Sequence, residues 1–443
     1  MIGVLKVTIT NFLSYKIQLL IFVFLLFLST YLVFDIKIGL IILLGAVLFS
    51  TALIQPKWLY MFLIALFPVE GFAALKGASY PKIVAVFLIG GLILRLALTR
   101  EALPKDNAYK YYYLFFIGSL ISFAVAKNLS VSLNMYIVYI SLFFLYLLTR
   151  HFLRSEKDVS VALNVLFFST IFLSLIVEMM GIRIRSHYSG ARLSGGYADP
   201  NEYASYILVL LPLSFYMAMR HTGIKKIVYW GCGLFFFITV VFAGSRGGAL
   251  GFIGLSTILV YYYSVGRLRQ IIVSILFVMT ISYFYVPDDY WVRLSTLTHP
   301  VSEGDSSMGT RLINYKAAVK MFFDYPVTGV GIYNFQFRGL EYGTEKVIVV
   351  HNTYLEVLTG GGLLSFIPFL LILINSWLKL KVKRKYDPTM RDLLICLKAS
   401  FVSLLITSFF ISADHKKILF FLLALISSVH YLLMERRDVV RKI

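Results

Sequence analysis

His351 opens the stretch His351-Asn352-Thr353-Tyr354-Leu355-Glu356, and Gly360-Gly361-Gly362 follows it. An imidazole near its ordinary pKa can take a proton from a hydroxyl at neutral pH, which makes this residue a candidate general base. A histidine that only hydrogen-bonds at an interface would look the same, so residue type alone leaves both roles open. Arginines gather in other segments. Arg246 lies within Gly244-Ser245-Arg246-Gly247-Gly248, while Arg183, Arg185 and Arg192 precede Asp199-Pro200-Asn201-Glu202. A guanidinium fork matches phosphate oxygens bidentately, and glycine-rich backbone at a helix start adds N–H donors and a favourable dipole. The ligand expected from these types is a diphosphate. The alternative for any single arginine is that it reaches out to lipid headgroups. Arg246, wedged between glycines, fits that alternative less well. No Asp-x-Asp or His-rich cluster accompanies the arginines, so neither a metal nor another cofactor is expected.

These residues need elements to hold them, and composition says which kind. Of 443 residues, 59% are hydrophobic and 14% are charged, with a mean hydropathy of +0.82. A soluble domain averages about a quarter charged residues. Apolar runs of roughly 20 residues recur along the whole chain, the pattern of helices that cross a bilayer and satisfy their backbone internally. The expected fold is an all-α polytopic transmembrane bundle of 12–14 spans, one membrane domain over 1–443. The candidate spans are 17–34, 38–54, 58–75, 83–99, 110–126, 131–149, 158–180, 203–219, 226–243, 247–265, 270–286, 353–378, 393–411 and 418–434. Pro68 and Glu70 make the third the weakest.

Lys and Arg concentrate on one side of this alternation, densest at Lys379, Lys381, Lys383, Arg384 and Lys385. By the positive-inside rule both termini are cytoplasmic, and Arg192, Arg246 and His351 face outward. The net charge of +20 is therefore explained by topology and anionic lipid contact, and no nucleic-acid partner is expected. Cys232 and Cys396 both fall within apolar spans, which points away from a disulfide framework. The first span lacks a small-residue cleavage site and reads as a retained helix. The longest outward interruption is 287–352. Within it, Thr310 can cap a helix ending before Pro326, with Leu312, Tyr315, Val319 and Phe322 on one face and Lys316 and Lys320 on another. That is an amphipathic helix lying on the membrane surface or against the bundle. Asp199-Pro200 reads as a helix start.

Arg246, three intervening residues and Leu250 resemble the arginine motif of the bacterial O-antigen ligase family. His351, ten intervening residues and Gly362 resemble that family's histidine motif, in the same order and on the same side. Thr310-Arg311-Leu312 is similar to the arginine-bearing helix shared with O-antigen and exopolysaccharide polymerases. The stretch from Arg192 to Glu202 is similar to the family's Arg…Asn-Pro-Asn loop, with Asp199 replacing the first Asn. The resemblance spans 190–365. It implies a GT-C-like membrane glycosyltransferase, metal-independent and inverting, that acts at the periplasmic face of the bacterial inner membrane. Its donor would be an undecaprenyl-diphosphate-linked glycan, its acceptor lipid A-core or another glycan, and its surroundings membrane lipids. Arg246 and Arg311, assisted by Arg192, would hold the diphosphate while His351 activates the acceptor hydroxyl. Asp199, Asn201, Glu202 and Asn352 are candidates for positioning sugar or acceptor, and Asp199 and Glu202 can equally pair with an arginine.

Two rivals remain at this point. A polymerase would share the donor chemistry and differ in the acceptor; Arg185 with Gly196 fits a polymerase-like spacing, while the histidine motif favours a ligase. A transporter of lipid-linked oligosaccharide would be expected to show repeats and polar mid-membrane helices, and neither is visible here.

Overall fold

The computed structural model describes residues 45, 47–69, 80–99, 103–181, 184–186, 189–263, 306–344, 349–383 and 386–442; the expected spans 17–34 and 270–286 lie outside them. The chain forms two compact units, one from 1–67 with 77–103 and one from 68–76 with 104–443.

In the first unit a short helix, Val47–Ile54, meets α1 (Pro56–Ala65) at a bend of 120°. Pro56 at the first turn starts the new helix, and α1 ends at Ala65, where a 3-10 turn through Phe67–Val69 begins. The expected helix over 58–75 is thus cut short just before Pro68, whose ring cannot continue it. A further helix among the described residues of this unit is α2 (Tyr80–Thr99), and Gly91 lets it approach Ala52 closely.

The second unit contains α3 (Tyr109–Ile121), α4 (Leu129–Phe152), α5 (Glu156–Met179), α6 (Pro200–Arg220), α7 (Gly223–Phe242), α8 (Arg246–Tyr263), α9 (Ser306–Asp324), α10 (Thr353–Lys379), α11 (Pro388–Thr407) and α12 (Lys417–Lys442). Six helices among the described residues are long and apolar enough to cross a membrane: α4, α5, α6, α7, α10 and the Lys417–Glu435 part of α12. Here α3 is shorter, and α8 and α11 are less apolar. Side-chain caps answer the first N–H groups that a helix cannot satisfy itself. Asn128 accepts from Val131 (3.2 Å), Ser155 from Asp158 (3.1 Å) and Asp387 from Thr389 (3.1 Å).

Helix α6 is the hub, buried along most of its length between α7 and α11. Helix α8 packs on α11, α12 on α4, and α3 on α10. By contrast α5 and α7 leave Phe168, Phe172, Ile224, Ile227 and Leu234 exposed, the outward apolar surface of a bundle bathed in lipid. Glycines set the close approaches. A Cβ on Gly247 would stand 2.9 Å from Phe410, and one on Gly251 would stand 2.6 Å from Thr407, so α8 lies tight against the end of α11. Cys232 and Cys396 are buried and unbridged.

One expectation needs correcting, and one small element stands beside the expected all-α bundle. The segment after α5 holds a small antiparallel hairpin, β1 (Ile184–Ser186) paired with β2 (Ser189–Arg192), with Ile184 opposite Arg192. Ile182-Arg183-Ile184-Arg185 alternates at the two-residue period of a strand, and that signal went unread beside the helical ones. Thr310 is no cap: it lies inside α9, which starts at Ser306 and ends before Pro326 as expected. Helix α9 divides its apolar residues between two sides. Ala317, Ala318 and Met321 are buried in a cluster with Val330, Phe335 and Val350, and Tyr315 packs against it, while Leu312 and Val319 are exposed. The small side chains bring this helix close to α10.

Candidate functional site

Helix α10 is broken where glycines concentrate. Gly362 has φ +58°, a left-handed conformation that glycine adopts without strain, and the two halves of α10 kink there. The N–H groups freed by the break are answered from outside. Leu363 donates to the Pro326 carbonyl (2.9 Å) and Leu364 to Val327 (3.2 Å), while Val330 donates to Thr359 (2.8 Å). The segment after α9 is therefore wedged into the helix break, and Gly329 and Gly360 leave room for it.

His351 stands at the head of the first half. It is half-buried and also left-handed, at φ 56°, which is uncommon for a residue with a Cβ. Asn352 follows as the N-cap, its Oδ1 accepting from Tyr354 (3.0 Å) and Leu355 (3.1 Å). Below it, buried Glu356 accepts from the Val350 amide (3.3 Å). These bonds grip the backbone on both sides of His351. The segment after α11 closes the other flank: Thr353 donates its amide to Ser408 (2.8 Å) and its hydroxyl to Ile411 (2.8 Å), and accepts from Ala413 (2.7 Å). From α9, the Tyr315 hydroxyl donates to the Phe409 carbonyl (2.7 Å).

Four charged groups bear on this histidine. Burial lowers its pKa below the ordinary value; Asp199 and Glu202 pull it up, while Arg311 and Lys416 push it down. The imidazole is consequently neutral near pH 7, the form a general base requires. Glu202 pairs with Lys416 at 2.8 Å. Asp199 caps α6, with Oδ1 accepting from both the amide and the side-chain nitrogen of Asn201 (2.8 Å each), as its Asp-Pro sequence suggested.

Arg192 connects this group to the Arg246 turn. Its Nε donates to the Ala243 carbonyl (2.8 Å), and one terminal nitrogen reaches Gly244 (3.3 Å) and Asn201 Oδ1 (3.2 Å). The fork thus closes the carbonyl end of α7 and fixes the turn that presents Arg246. Gly244 takes φ +59° there, and buried Ser245 caps α8 by accepting from Gly248 (3.0 Å). Arg246 is half-buried at the N-terminus of α8. Of the residues expected here, Arg311, Asp199 and Glu202 act directly on His351, and Arg192 and Asn201 tie in the Arg246 turn. Asn352 and Asp199 carry cap duties that use their acceptor oxygens.

Sequence reasoning passed over the short segment between α11 and α12. Asp414 is buried there and accepts from Tyr139 (2.6 Å), with His415 Nδ1 at 3.5 Å; burial raises its pKa, yet these contacts bring it below the usual carboxylate range. His415 meets the ring of Tyr333, another residue with positive φ. The signal was present: Asp414-His415-Lys416-Lys417 is a dense charged run between two apolar stretches. Among the described residues no group of three or more His, Cys, Asp or Glu is placed to hold a metal ion.

A bundle of apolar spanning helices with a charged mouth built around a broken helix defines a polytopic membrane protein. Residues 231–370 match the family model described as O-antigen ligase. The match covers Arg246, Arg311, His351 and the break at Gly362. No curated protein matches the chain.

Proposed function

We propose that this protein is a glycosyltransferase of the O-antigen ligase type, moving a glycan from undecaprenyl diphosphate to a hydroxyl of lipid A-core at the periplasmic face of the inner membrane. The observation that carries the proposal is His351, held neutral at the head of a broken spanning helix with Arg311 and two carboxylates acting on it. The acceptor oxygen attacks the anomeric carbon as its proton passes to the imidazole. The bond from that carbon to the diphosphate breaks on the opposite face, giving inversion. Charge gathers on the departing diphosphate, where guanidinium forks stabilise it. Arg246 and Arg311 supply those forks, and Arg192 holds the turn that aims Arg246. Asn201 and Glu202 line the acceptor side. With the leaving group stabilised in this way, no metal is required.

The test is transfer by the purified protein from a lipid-diphosphate glycan to lipid A-core in excess chelator. The expected result is turnover that needs no added divalent ion. His351→Ala should cut it by about a hundred- to ten-thousand-fold with donor binding retained. A His351→Gln protein that keeps most of its turnover would reduce His351 to a positioning residue. Elongation of the donor, with lipid A-core left untouched, would make the protein a polymerase.

A further inference from the structure

At the far ends of α4 and α10 from His351, a second charged cluster lies between the helices. Asp106, just before α3, is almost wholly buried and meets Lys379 Nζ at 2.6 Å and Arg150 Nε at 3.4 Å. It also accepts from Tyr146 (2.6 Å) and from Ser427. Burial pushes this carboxyl up, but Lys379 and the two hydroxyls bring it down to about 2, so it is ionised. Among the described residues two buried cations therefore face one anion, and the cluster keeps an excess positive charge. An uncompensated charge away from water is costly and calls for a counter-ion. Beside it opens a cavity of about 320 Å³ whose lining includes Asp106 itself with Lys105, Arg150, Lys379, His430 and Tyr431, and Lys105 is exposed on its rim. That is far larger than a water site and within the range of small-ligand pockets.

We propose that this cavity binds a phosphate anion, compensating the excess charge of Arg150 and Lys379, with Lys105 closing over it. Two sources carry that chemistry, the headgroup of an anionic phospholipid and free phosphate. The orientation proposed above puts the cavity at the cytoplasmic leaflet, where basic pockets between helices meet anionic headgroups. Neither the glycan donor nor its acceptor is required at this end, so the site serves the fold's anchorage and not the transfer.

The full-length protein in nanodiscs of phosphatidylcholine, with or without phosphatidylglycerol, tests this at constant ionic strength. Phosphatidylglycerol should raise the unfolding temperature by a few degrees, because a ligand bound only by the folded state stabilises it. Lys105→Glu and Lys379→Gln should each lose most of that rise. If inorganic phosphate added to phosphatidylcholine discs gives the same variant-sensitive rise, the site takes the soluble anion. No rise with either anion, or a rise equal in wild type and both variants, overturns the proposal. Should Lys379→Gln fail to fold, Lys105→Glu decides alone, since that side chain is exposed on the rim.

Discussion

Burial lowers the basicity of His351, and the surrounding charges then divide, Asp199 and Glu202 against Arg311 and Lys416. If the neutral imidazole is the working form, activity is present above its pKa and lost as pH falls through it. That pKa lies below the ordinary 6.5, so the acid limb of kcat/KM belongs below 6.5 as well. Asp199→Asn keeps a good helix cap and removes a charge that favours imidazolium. The limb should move to still lower pH, and a limb that stays put would mean that another group titrates. Arg246 offers a second single-residue test. Arg246→Lys keeps the charge and loses the fork, so transfer should fall by about 10- to 100-fold, the worth of one strong charge-assisted hydrogen bond. Normal turnover by Arg246→Ala, at normal protein level, would remove the diphosphate role.

The broken helix α10 sets the geometry that those residues depend on. In Gly362→Ala a Cβ would run into the Val327 carbonyl oxygen, at a φ that L side chains rarely adopt. Strain alone costs about 1–3 kcal/mol. The unfolding temperature should drop together with transfer, and an unchanged melt would show the kink to be dispensable. Much of this scale was legible in the chain. Long apolar runs gave the spanning helices among the described residues, and Asp199-Pro200 gave the start of α6. What stayed hidden depends on neighbours. The conformation of Gly362 follows from a segment wedged in from elsewhere, which no local pattern encodes. Which side of α9 meets α10 was also out of reach, since Ala317 and Ala318 carry no signal of close approach in their spacing. Asp414 acquires its place beside Tyr139 only through tertiary packing.

For the whole molecule the decisive question is sidedness, since the proposed chemistry needs its mouth outside. A reporter fused after Ser302 should read as external and one after Lys385 as cytoplasmic; both on one side would overturn the topology. The wedge in α10 also bears on how the protein is made. A spanning helix normally enters lipid with its own hydrogen bonds complete, because each unanswered backbone group there costs several kcal/mol. Here Leu363 and Leu364 are answered only by Pro326 and Val327, which leave the ribosome before them and belong to the preceding loop. The second half of α10 can therefore settle in its final form only once that loop is in place. Biogenesis is thereby ordered, with placement of the loop ahead of the docking of the helix that follows it.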